Sequence, residues 1–170
     1  MHLWSLARFA PLTLAAGLAG PAIAQADASP AVSGFERELW VATGFRSHHT
    51  AHASRYNQRN DGLGLEWRWS PQVQFNAGHY RNSVRHGSTY AQVAWTPLDT
   101  ALPSDFRVRG GASVGVINGY PKVRHGGYFA TLVPVMSLEW QRVGINFLYI
   151  PSVGKRVDGA YAVQLKLRVS

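Results

Sequence analysis

The segment "SHHTAHASRYNQRNDGLGLEWRW", Ser47 to Trp69, crowds His48, His49 and His52 into a polar run that turns directly into an alternating apolar one. Imidazoles so spaced can ligate a metal or move a proton. Zinc ligation by His48 and His52, four residues apart, needs a helix to bring both rings to one face. The residues around Ala51 and Ser54 show no helical pattern, the chain has no cysteine, and no carboxylate stands between the two histidines. No metal is assigned. Proton transfer asks only for a hydroxyl within reach of a histidine. "HYRNSVRHGSTY", His79 to Tyr90, supplies Ser83, and a serine and histidine meeting at one end of the fold would be nucleophile and base. Such pairs are common by chance, so spacing alone does not decide for catalysis.

The elements that position these residues are strands. Period-two alternation recurs from end to end, clearest in Leu63, Leu65, Trp67 and Trp69 against Gly64, Glu66 and Arg68. It returns in Val73, Phe75 and Ala77, in Ala91, Val93 and Trp95, and in Tyr161, Val163, Leu165, Leu167 and Val169. Together with the runs Leu39 to Phe45, Phe106 to Ile117, Thr131 to Trp140 and Val143 to Ile150 these make eight strands, the smallest number for a closed outer-membrane barrel. The connections after strands one, three, five and seven ("SHHTAHASRYNQRND", "RNSVRHGS", "NGYPKVRHGG", "PSVGKRVD") are expected on one rim. "SPQ", "TPLDTALPSD" and "QR" are expected on the other. The polar faces carry Glu66, Arg68, Arg107, Arg109, Glu139, Lys166 and Arg168, while Trp67, Trp69, Trp95, Trp140 and Tyr149 lie in the apolar band near strand ends, as an aromatic girdle does. The expected fold is an all-β, eight-stranded, antiparallel up-and-down outer-membrane barrel. A soluble lipocalin-like barrel shares the period-two pattern.

The first residues read as a leader: Arg8, the apolar "FAPLTLAAGLAG", then Ala22-Ile23-Ala24 before cleavage. Residues 1–24 are expected to be a signal peptide, 25–34 a flexible lead-in and 35–170 the barrel, inserted in the bacterial outer membrane as a monomer. The formal charge of +8 is scattered without a dense basic run. An exported chain with that distribution suits anionic lipid phosphates better than nucleic acid.

At "RYNQRNDGLGL", "YRNSVRHGSTYAQVAWTPL" and "LVPVMSLEWQRVGINFLYIPSVG" the sequence resembles the lipid A palmitoyltransferase family of outer-membrane enzymes. The similarity runs from about Phe45 to Arg168, and its motifs are the "YN-x-R" turn, the Tyr-Arg-x-Ser strand end and the "LYIP" segment. It implies an eight-stranded barrel that transfers an acyl chain from a phospholipid donor to lipid A, with no cofactor. The family's serine falls on Ser83, and its histidine on His49, with His48 as the alternative. The family's aspartate before the serine is Asn82 here, a departure that removes the negative charge an imidazolium needs. Asp61 is one replacement to consider. The resemblance also implies an acyl-chain ruler whose floor, a glycine in the family, is Ala94, on the same inward face as Tyr90. A methyl group there should shorten the well by roughly one methylene, giving a preference for chains shorter than palmitate. Pro134 and Pro151 would open the ladder for lipid to enter sideways. Tyr56 and Asn57 are expected to order the loop. Arg46, Arg55, Arg59, Arg81 and Arg85 are expected to hold the glycolipid's phosphates. A barrel that has kept this architecture without the chemistry is the alternative.

Overall fold

In a strand, neighbouring side chains point to opposite faces, and here the face that points outward is apolar. The computed structural model describes residues 35–152 and 157–170. The expected signal peptide and lead-in lie outside the described residues. Eight strands follow one another: β1 (Glu38–His49), β2 (Arg59–Arg68), β3 (Val73–Arg81), β4 (Gly87–Ala101), β5 (Phe106–Ile117), β6 (Phe129–Trp140), β7 (Val143–Ile150) and β8 (Ala160–Arg168). Each pairs antiparallel with its sequence neighbour, and β1 pairs with β8 to close the barrel.

The connections alternate in position as the sequence indicates, but some boundaries differ. β1 runs on to His49, because its polar end stays in register with β8 through His48 opposite Tyr161 and His49 opposite Ala160. β2 starts at Arg59. β4 continues through most of "TPLDTALPSD" to Ala101, with a β-bulge between Trp95 and Leu98. Pro97 sits in that bulge, where its missing donor interrupts no regular ladder bond.

Leu65, Trp95, Val114, Leu132, Phe147, Val163 and Leu165 are exposed on the outer wall. Leaving such side chains in water costs about 1.5–3 kcal/mol each, so this surface is the reverse of a soluble barrel's. Aromatic residues cluster at both ends of the wall, with Trp69, Phe106 and Trp140 toward the short-turn rim and Tyr149 packed against Tyr161 at 5.2 Å toward the other.

The bore carries the charges. Toward the short-turn rim, Glu139 takes Arg68, Arg109 (3.3 Å) and Lys166 (2.9 Å). Lys166 also meets Glu66 at 2.8 Å, Arg109 meets Asp99 at 2.9 Å, and Glu38 holds Arg68 and Arg168. The buried Trp40 ring has the Lys166 ammonium 4.7 Å from its centroid. Removing ions of this kind from water costs several kcal/mol apiece unless they are paired, which is why the charges form one interlocked set. Above it the bore turns aromatic, with Phe45 at 4.9 Å from Tyr80 and 6.2 Å from Tyr90. The Tyr90 hydroxyl lies against the paired Gly64 and Gly78, where a side chain would collide with it.

Candidate functional site

One extra residue decides which histidine enters the site. Trp40 and Ala42 face inward, and strict alternation from them would turn His48 inward too. The register shift between Thr43 and Phe45 changes the phase, so that His49 is buried and His48 is exposed. A bulge at Gly44 is therefore the local reason why the family resemblance's first choice, His49, lies inside. Gly44 is the one sequence signal that could have flagged it, since its backbone approaches that of Asn60 and Gly62 too closely for a side chain.

The His49 ring stacks on Tyr56, with centroids 4.0 Å apart and planes at 15°. The Tyr56 hydroxyl donates to Oδ2 of Asp158 at 2.7 Å, and His52 Nδ1 is 3.6 Å from the same oxygen. The segment bearing Asp158 is fastened to the end of β1, for the Thr50 backbone N–H and hydroxyl both donate to the Gly159 carbonyl, at 2.9 and 3.1 Å. The hydrogen bond from Tyr56 holds the Asp158 carboxyl below its usual range, with the nearby His52 and His49 adding to the effect against partial burial. The same bond, together with burial and the Asp158 charge, pushes the Tyr56 phenol up. Nδ1 of His49 is buried and has no hydrogen-bond partner. Buried polar atoms are nearly always paired, so this nitrogen is an exception within the site.

Ser83 lies in the turn between β3 and β4. It is buried, and its carbonyl accepts the Asn57 amide at 2.8 Å. His49 and Ser83 thus flank consecutive residues of one loop, the first stacked on Tyr56 and the second bonded to Asn57. The two residues meet through this loop and not through a direct hydrogen bond between the His49 imidazole and the Ser83 hydroxyl. Behind Ser83, the Tyr120 and Tyr80 hydroxyls are 3.1 Å apart. Burial pushes the Tyr120 phenol up, and the Tyr80 and Ser83 hydroxyls pull it partly back.

Asn82 is wholly buried, and every hydrogen bond of its side chain goes elsewhere than to His49. Its Nδ2 donates to Ser88 Oγ (2.9 Å) and the Gly119 carbonyl (2.7 Å), and its Oδ1 accepts the Val84 and His86 amides at 3.0 and 2.9 Å. Asp61 is exposed and binds Arg46 and Arg59, at 3.2 and 3.1 Å. Asn57 orders its loop as expected, through the Arg59 backbone, whereas Tyr56 reaches across to Asp158. That carboxylate was legible in one respect: Asp61 and Asp158 are the only acids in or beside the four longer connections.

The arginines divide into two groups. Arg46 and Arg59 share Asp61. Arg55, Arg81 and Arg85 have no carboxylate partner among the described residues, and Arg85 donates to the Arg55 carbonyl at 3.3 Å while Arg81 donates to that of Arg85 at 3.4 Å. Ala94 faces inward with no exposure, opposite Gln74 and Ser113. Above it Gln92 bridges Ser113 (3.0 Å) and Thr131 (3.1 Å), so side chains occupy the bore near the expected ruler floor. A groove of about 760 Å³ instead opens on the outer wall, along Leu65, Trp67, Phe75 and Val93.

The wall has one lateral gap of note. β6 pairs with β7 only from Val135 opposite Leu148 to Trp140 opposite Val143. Phe129 to Pro134 of β6, and Tyr149 and Ile150 of β7, have no rung between them. Pro134, without an N–H, stands where the pairing stops. The open edge is level with the site, because Ile150 pairs with Ala160 and Ala160 with His49. Two strand spacings, about 10 Å, separate Ile150 from His49.

A scan against protein-family models finds no match for this chain, and a search of the curated proteins finds none either.

Proposed function

We propose that this chain is an outer-membrane acyltransferase that moves a fatty acyl chain from a phospholipid to lipid A or a related outer-leaflet lipid. The observation that carries this reading is the unpaired upper half of β6 against β7, level with His49. A donor phospholipid lying against the apolar wall reaches that gap from the side, level with the buried imidazole and beyond the two strand spacings, about 10 Å, that separate β7 from it. The apolar exterior and the aromatic residues at both ends support the membrane assignment, in keeping with the leader expected from the sequence.

In this mechanism His49 is the general base. It takes the proton from the acceptor hydroxyl, whose oxygen attacks the ester carbonyl; the lysophospholipid oxygen leaves and recovers the proton. Ser83 is a polar partner to that proton or the nucleophile of a two-step route. Arg55, Arg81 and Arg85, with no carboxylate partner among the described residues, face the acceptor's phosphates. Tyr90 yields to the incoming chain, and Ala94 limits how deep that chain can go.

The test is mass spectrometry of lipid A from a Gram-negative strain lacking its own acyltransferase and expressing this chain or its Ser83→Ala variant. An added acyl chain shorter than palmitate, absent with Ser83→Ala, is the expected result. Strict palmitate addition would remove the role given to Ala94. Unmodified lipid A, with the protein folded in the outer membrane, would favour a silent structural or lipid-binding barrel. The specific observation on that side is the bore, which the charge network and the aromatic layer fill.

A further inference from the structure

We infer that Asp158 is the positioning carboxylate of the His49 site, acting through the Tyr56 hydroxyl and across the short space to the imidazole. The inference deepens the acyltransferase reading and rests on it for its kinetic consequence. A histidine that takes a proton needs a fixed ring and a negative charge to support the imidazolium that forms. The residue before Ser83 supplies neither, since the Asn82 amide is committed to Ser88, Gly119, Val84 and His86. Asp61 points outward to Arg46 and Arg59. That leaves Asp158 as the other acid near this rim.

The geometry joins it to His49 in two steps. The Tyr56 ring is clamped against the imidazole at 4.0 Å, and its hydroxyl is tied to Asp158 at 2.7 Å. The Thr50 to Gly159 bonds fix the Asp158 loop to the residue directly after His49. The titratable neighbours of the buried imidazole are the Asp158 carboxylate and the His48 ring. The exposed His52 also faces Asp158, from the β1–β2 connection, and Arg55 acts on Tyr56. Of these neighbours only Asp158 is a carboxylate, so it is the one that supports a positive charge on the ring.

The experiment uses the full chain folded in phosphocholine detergent micelles, with Asp158→Asn, Asp158→Glu, Tyr56→Phe and Asp61→Asn variants. Nuclear magnetic resonance of the ring nitrogens follows the His49 titration, and transfer from a phosphatidylcholine donor to lipid A is measured alongside. Asp158→Asn is expected to lower the His49 midpoint by roughly half a pH unit or more, and to lower kcat at least about tenfold with KM changed less than about threefold. Asp158→Glu should restore part of both, Tyr56→Phe should reduce kcat in part, and Asp61→Asn should move neither. An unchanged His49 midpoint in Asp158→Asn, or an equal shift in Asp61→Asn, overturns the inference. If the parent chain transfers nothing, the acyltransferase reading fails while the titration still decides the role of Asp158.

Discussion

An asparagine amide offers two donors and an oxygen with two lone pairs, and Asn82 uses them all, within the β3–β4 turn, on Ser88 of β4 and across to Gly119 of the β5–β6 connection. An aspartate in its place could accept the Val84 and His86 amides but could give nothing to the Gly119 carbonyl or to Ser88 Oγ, which already donates to the Asn118 carbonyl at 2.6 Å. Restoring the residue that the family resemblance implies should therefore not restore a catalytic charge. Asn82→Asp is expected to cost about 2–4 kcal/mol of stability, from a buried carbonyl left bare and a carboxylate facing it. Burial next to that carbonyl raises the new carboxyl's folded pKa above its unfolded value, so the loss is largest at neutral pH and shrinks as the group protonates on acidification. Urea unfolding in micelles at two pH values checks both; an unchanged midpoint, or raised transfer, would show that the turn tolerates the charge. The same scale explains what the sequence hid. Alternation counted from Trp40 points to His48 and not His49, but the phase between Trp40 and His49 changes at Gly44.

Strand pairing sets the next scale, and there the β6–β7 edge stands apart. The remaining neighbours pair through both halves of the barrel, whereas β6 and β7 part at Pro134. Continuing the register past Val135 and Leu148 would put Val133 opposite Ile150. With no native cysteine to interfere, Val133→Cys with Ile150→Cys offers a reversible clasp at that rung. A disulfide requires Cα atoms within about 7 Å, so oxidation draws the strands together and closes the gap. Transfer should fall at least about tenfold on oxidation and return with dithiothreitol, while either single cysteine leaves it unaffected; transfer surviving oxidation would show that lipid takes another route. Pro134 was visible in the sequence as a missing donor, but the extent of the opening was not. It depends on how far β7 follows β8 instead, and Tyr149 and Ile150 do pair with Tyr161 and Ala160. β4 runs past the boundary its sequence indicates for a related reason, since a proline inside a bulge looks in sequence like a proline in a turn.

Over the whole molecule, inside and outside carry opposite chemistry, and this was legible because a period of two needs no knowledge of partners. Leu63, Leu65 and Trp67 are exposed while Glu66 and Arg68 are buried, as their alternation required. Which charges would meet was not legible, since Glu139 finds Arg68 and Lys166 from strands far away in the chain only after the barrel closes. Closure gives Glu66, Glu139 and Glu38 a cation each at the least, Asp99 takes Arg109 from the adjacent β5, and the side chains that pair also span the bore. The network should then seal the barrel as well as stabilise it, and the two roles can be separated. Glu139→Gln keeps the volume but leaves Arg68, Arg109 and Lys166 without their shared carboxylate, each still holding one other acid. Breaking a buried pair costs about 3–5 kcal/mol when a charge is stranded, and those remaining partners put the expected loss near the lower end, at about 3 kcal/mol. In planar bilayers the parent chain should pass no ions, and Glu139→Gln should stay closed despite its lower urea midpoint, because the plug is a matter of volume. Conductance in the parent chain would show that water threads the network. Conductance in the variant alone would show that charge pairing, and not packing, keeps the bore shut.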